Sequence, residues 1–144
     1  MAKFHPLIRE EVKTSGRSQM VDITAMVAKL VRQKNMPTGF VNVFIPHTTA
    51  GITIQENADP NVQHDLLAKL EAMVPKQESY YKHAEGNSDS HLKASMMGSS
   101  VTVQIESGKL QLGQWQGIYL MEFDGPRTRE VWVRLSDLGR AELD

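Results

Sequence analysis

The stretch Trp115-Gln116-Gly117-Ile118-Tyr119-Leu120-Met121-Glu122-Phe123-Asp124 carries bulky apolar side chains on both faces of an extended chain. Ile118 and Leu120 fall on one face, and Tyr119, Met121 and Phe123 on the other. In a chain of 144 residues, a strand covered on both sides predicts either a sheet sandwich or a strand buried at a subunit interface. Downstream, Gly125-Pro126-Arg127 reads as a turn into a further strand at Val131–Leu135. Upstream, Val101, Val103 and Ile105 alternate with Thr102 and Gln104. Ser107-Gly108 then turns the chain into Leu110–Leu112, so the last third reads as an antiparallel meander.

The first half supplies more strands and the helices. Lys3–Val12 reads as a strand, placed at a sheet edge by Pro6, and Thr14–Ser18 reads as a turn. Ile23, Met26, Val27, Leu30 and Val31 recur at helical spacing behind a cap at Asp22 or Thr24. Phe40–Pro46 is apolar on both faces, the mark of a central strand. Alternation along it puts Val41, Val43, Ile45 and His47 on one face. Thr48–Gly51 breaks that strand, and Ile52–Gln55 resumes it. Asp59 and Pro60 start a helix whose stripe is Val62, Leu66, Leu70, Met73 and Val74, with His64 on the solvated side. A short helix from Ser88 or Asp89 carries His91, Leu92, Lys93, Met96 and Met97 and stops at Gly98. The predicted class is α+β: antiparallel sheets packed as a sandwich or half-barrel with two to three helices, one domain over residues 1–144, and a polar tail at 136–144.

Composition narrows the function. With 16 basic and 17 acidic residues the net charge is -1, which leaves no field to hold a nucleic-acid backbone or an anionic membrane. No apolar run approaches the roughly 20 residues that span a bilayer, and no secretion signal opens the chain. A soluble cytoplasmic protein is expected. Cysteine is absent, so His, Asp and Glu are the strong metal ligands available.

Chemistry concentrates in His83-Ala84-Glu85-Gly86-Asn87-Ser88-Asp89-Ser90-His91-Leu92-Lys93. Continuous helix would hold His83 and His91 roughly 12 Å apart. Gly86 and Asn87 tolerate the reversal needed to bring His83 over the helix that bears His91. With His47 they form the natural ligand trio for a catalytic ion that keeps one position open. Taken alone, the spacing is a weak metal motif, and two histidines in a polar surface loop are its simpler reading. Glu122 and Asp124 point to one face at the end of an apolar strand. Arg127 and Arg129 follow, either as phosphate-binding forks or as an ion-pair network closing the turn. Thr48, Thr49 and Gly51 can present hydroxyls and backbone N–H groups to a phosphate, or merely bend the chain between strands.

The ordered blocks Pro46-His47-Thr48-Thr49-Ala50, Glu56-Asn57-Ala58-Asp59-Pro60, His83–Asn87 with His91-Leu92-Lys93, Gly113–Gly117 and Glu122–Arg127 resemble the YjbQ family, also called secondary thiamine-phosphate synthases. The similarity runs from about Phe4 to Leu135. It implies a homotrimer and a divalent ion, zinc first with magnesium or another ion as alternatives, held by His47, His83 and His91. It also implies a pocket in which Thr48, Thr49, Asn57, Asn87 and Arg127 bind a phosphorylated small molecule, with Glu122, Arg127 and Lys93 as catalytic groups. The implied reaction joins a pyrimidine diphosphate to a thiazole phosphate, alongside a different principal role. The rival readings are a metal-dependent phosphohydrolase and a non-catalytic trimer that binds a phosphorylated metabolite. Gly51 stands where members often carry a bulkier residue, which alters the wall of the expected pocket.

Overall fold

The computed structural model describes residues 3–139. Nine strands and three helices follow one another as β1 (Lys3–Phe4), β2 (Ile8–Lys13), β3 (Gln19–Asp22), α1 (Thr24–Gln33), β4 (Thr38–Phe44), β5 (Ala50–Glu56), α2 (Pro60–Met73), α3 (Ser88–Met97), β6 (Ser100–Glu106), β7 (Lys109–Leu110), β8 (Gln116–Glu122) and β9 (Thr128–Asp137). Every strand pairing is antiparallel. The larger sheet runs β1-β9-β4-β6-β7, with β2 also paired to β9, and the smaller runs β3-β8-β5. The α+β class read from the sequence is the class observed.

Strand β8 explains the layering. Its Ile118 and Leu120 join Val41, Val43, Val103, Ile105, Val131, Val133 and Leu135 of the larger sheet in one core, with Val27, Leu30 and Val31 of α1. Its other face puts Tyr119 and Met121, with Phe123 just beyond the strand, into a second core with Leu70 of α2 and Ala94 of α3. Helices, rather than a second subunit, therefore cover the outer face of β8. The physical reason is that each apolar face of a sheet needs a partner layer, and α2 and α3 supply it.

Several boundaries differ from the sequence reading. Strand β3 had no clear alternation to betray it; pairing with β8 in the register Met20↔Met121 creates it. Strand β9 continues through Ser136 and Asp137, since those residues pair with Phe40 and Gly39 of β4. The remainder of the expected tail, 140–144, lies outside the described residues. Asp59 caps α2 as predicted, accepting from Asn61 N at 2.9 Å. Asp22 accepts from both Thr24 N (2.9 Å) and Thr24 Oγ1 (2.6 Å) ahead of α1.

Candidate functional site

The chain crosses from the larger sheet to the smaller between β4 and β5, through Ile45-Pro46-His47-Thr48-Thr49, and the site is built on this crossover. Glu130 N on neighbouring β9 donates to His47 Nε2 at 2.9 Å. A backbone N–H can only donate, so Nε2 is the unprotonated nitrogen and the neutral ring carries its proton on Nδ1. Burial, reinforced by the nearby Arg129 guanidinium, lowers the His47 pKa from its ordinary value and favours this neutral form.

Below the crossover lies a buried polar cluster. Arg129 is 2 % exposed and Glu122 fully buried. Arg129 Nε donates to Glu122 Oε1 at 2.9 Å, and Arg129 Nη2 makes a short contact to Oε2. Arg129 Nη2 also reaches Thr49 Oγ1 (2.9 Å) and Thr49 O (3.2 Å), which holds the crossover down. Glu122 accepts further bonds from Thr14 Oγ1 (2.7 Å), Phe123 N (3.0 Å) and Asp124 N (3.1 Å). Burial pushes the Glu122 carboxyl up, but the hydrogen bonds from Arg129, Thr14 and Asp124 outweigh it and hold the group below the usual glutamate value.

Two open grooves meet at the crossover. One, of about 460 Å³, is lined by Phe44, Pro46, His47, Thr48, Ser99 and Arg127 among others. The second, of about 510 Å³, shares His47, Thr48 and Ser99 and adds Ala50, His91 and Ser95. Their sizes suit a small ligand. Arg127 is half-exposed here, and Thr48 is exposed.

The sequence expected more of these residues to converge. Gly86 does supply the reversal, at φ +72°, and it brings the His83 and His91 rings within 5.3 Å, packed edge to face. His47 shares a groove with His91, but its Nε2 lone pair is spent on Glu130. Among the described residues no group of three His, Asp or Glu side chains can hold an ion. The donors present do not fit the expected three-histidine centre. Lys93 is also misplaced as a catalytic group: it is 1 % exposed and donates to Glu71 (2.7 Å) and Asp89 (3.2 Å). Glu122 has no accessible oxygen to act as a base. Thr49 is buried against Arg129. Asn57 follows the far end of β5, about 20 Å along the strand from the crossover, where its N donates to Trp115 O. Asn87 turns its amide toward Asp124, with Nδ2 donating to Oδ2 at 2.9 Å. Of the expected pocket residues, Thr48 and Arg127 line the groove with exposed side chains, and Thr49 lines it with little surface to offer.

The contribution of Glu130 was invisible in the sequence because it is a backbone group. Gly51 has a spatial rationale: a Cβ there would lie 2.8 Å from Gly98 O and 3.0 Å from Met97 Cβ. Glycine lets the end of α3 sit directly on β5, with Ile52 N donating to Gly98 O at 3.1 Å. Gly51→Ala is expected to lose about 1–3 kcal/mol in urea unfolding, with backbone shifts concentrated in Ala94–Gly98. Unchanged stability would show that α3 can move away freely.

The fold and the crossover can now be set beside known proteins. A family model described as "UPF0047 protein YjbQ-like" matches residues 9–137. The chain belongs to this family. A UPF0047 protein of Methanocaldococcus jannaschii is 46% identical over 129 residues, covering 90% of this chain and 93% of that protein. A YjbQ/UPF0047 crystal structure from Clostridium acetobutylicum, described as an uncharacterized conserved protein, superposes with TM-score 0.87 at 55% identity, covering 89% of this chain and 98% of the other. A YbjQ-like protein of unknown function from Sulfolobus solfataricus superposes with TM-score 0.89 at 30% identity, covering 95% and 99%.

These YjbQ-like relatives lend the chain no thiamine-phosphate synthesis, since they are described by family or as of unknown function. The expected metal-binding synthase is overturned by those descriptions together with the lack, among the described residues, of a group of His, Asp and Glu side chains able to hold an ion. Among the described residues no helix is long and apolar enough to cross a membrane.

Proposed function

We propose that the groove at the crossover binds a small phosphorylated molecule directly, through protein donors. The observation that carries this reading is the Glu130 N–H bond to His47 Nε2. With that lone pair occupied, neutral His47 offers an Nδ1–H, a donor suited to an acceptor such as a phosphate oxygen. Thr48 and Ser99 add hydroxyls along the same wall, and Arg127 adds a planar cationic fork that matches phosphate geometry. Such a set favours an anion and would stabilise charge growing on a phosphate oxygen.

The test is titration of the full chain with inorganic phosphate and with pyrophosphate, followed by NMR shifts of the Thr48 and Ser99 amides. His47→Phe and Arg127→Ala are each expected to weaken binding by about tenfold or more, the range for a hydrogen bond to a charged group. A chelator should leave the affinity unchanged. Equal affinity in both variants, or binding abolished by the chelator, would overturn the reading.

A further inference from the structure

We propose that Asp124 is a positioning residue for Arg127, and that Asn87 acts through Asp124 to hold the guanidinium ready for an anion. The proposal rests on the phosphate reading of the groove and names what makes its cationic donor selective. Arg127 follows the turn after β8, and its backbone is already fixed. Thr14 N donates to Arg127 O at 2.9 Å, and Arg127 N donates to Thr14 Oγ1 at 3.0 Å. Its side chain is half-exposed. An arginine so placed would ordinarily sample many rotamers and lose that freedom on binding.

Asp124 removes that freedom beforehand. Its backbone oxygen accepts from Arg127 Nε at 2.9 Å, and its Oδ2 accepts from Nη2 at 3.1 Å. Two of the five guanidinium N–H groups are thereby occupied, and those on Nη1 stay available for a ligand. Asp124 Oδ2 is shared with Asn87 Nδ2 at 2.9 Å. Asn87 is the N-cap residue of α3, yet its side chain makes no capping hydrogen bond. Its Oδ1 is buried without a partner. The usual purpose of asparagine at a helix start is therefore not served. Its amide is turned to Asp124, because the flipped orientation would set an acceptor oxygen against a carboxylate oxygen. The helix that carries His91 thus reaches the groove's arginine through one amide and one carboxylate.

The electrostatic alternative has the opposite sign, which makes the proposal decidable. If Asp124 merely neutralised Arg127, Asp124→Asn would add net positive charge and tighten anion binding. Positioning predicts that Asp124→Asn and Asn87→Ala each weaken pyrophosphate binding by about threefold to tenfold. It also predicts that both variants speed solvent exchange of the Arg127 Nη2–H signals in nitrogen-15 NMR, since Nη2 is the group that the Asp124 carboxylate holds; general loosening of α3 would not produce that signature alone. Circular dichroism reports whether each variant folds, and Asn87→Ala decides alone if Asp124→Asn does not. Unchanged or tighter binding together with unchanged Nη2–H signals would overturn the proposal. Arg127→Ala separates the two claims. If it leaves pyrophosphate affinity unchanged, the phosphate reading fails, while the Nη2–H signals of Asp124→Asn and Asn87→Ala still test the positioning.

Discussion

Glu122→Ala is expected to cost about 3–5 kcal/mol of folding stability, the penalty for leaving a buried charge without its partner. Arg129 is 2 % exposed. Losing the carboxylate would strand its guanidinium with only the Thr49 oxygens. The paired change Glu122→Leu with Arg129→Met should cost far less than either single change, because neither charge is then stranded. Urea unfolding of the three variants tests this. Equal losses in the single and paired variants would show that the ion pair is not the source. The same pair predicts a pH effect. The Glu122 carboxyl is held below its ordinary value in the fold, so the unfolded chain binds the proton more readily. The stabilisation is complete above the unfolded glutamate pKa of about 4.3 and is lost as pH falls through the lower folded value. Acid unfolding of Glu122→Gln should accordingly show a shallower pH dependence in that range.

Asp89→Ala is the second large loss, again about 3–5 kcal/mol. Asp89 is fully buried in the first turn of α3. It accepts from Arg17 Nη1 and Nη2, each at 3.0 Å, and from Lys93 Nζ at 3.2 Å. Burial pushes its carboxyl up, but the hydrogen bonds from Arg17 and Lys93 prevail and lower it below the ordinary aspartate value. Removing it would leave buried Lys93 with only Glu71, which is itself 55 % exposed. Lys93→Met should cost much less, since Asp89 keeps the bidentate Arg17 and the methionine fills the stem's space. Phosphate affinity should be unaffected by Lys93→Met, because the ammonium lies in this clamp and does not line the groove. Loss of binding with unchanged stability would return Lys93 to the site.

The site was legible where it depends on local chain properties. The reversal at Gly86 follows from glycine's freedom to take positive φ, and it duly pairs His83 with His91. Residue type alone leaves open the choice between phosphate fork and ion pair, because both are arginines two positions apart after the same turn. The fold divides them. Arg129 points inward to Glu122, while Arg127, still in the turn, stays at the surface. Lys93 and Glu122 depart from their expected catalytic placement for a related reason. Charged residues next to candidate ligands look chemical until burial shows their hydrogen bonds fully committed.

From the sequence alone follow the α+β class, the two-faced strand β8, the capped start of α2 and the turn that brings two histidines together. Each is written in periodicity or in a single residue's backbone preference, and both are local. Only the tertiary structure decided how His47 Nε2 is engaged. Its partner is a backbone N–H on β9, 83 residues away in the chain, and a peptide group leaves no trace in residue type. The same is true of Asp124 and Asn87, whose contact spans 37 residues and exists only because α3 is laid beside the end of β8.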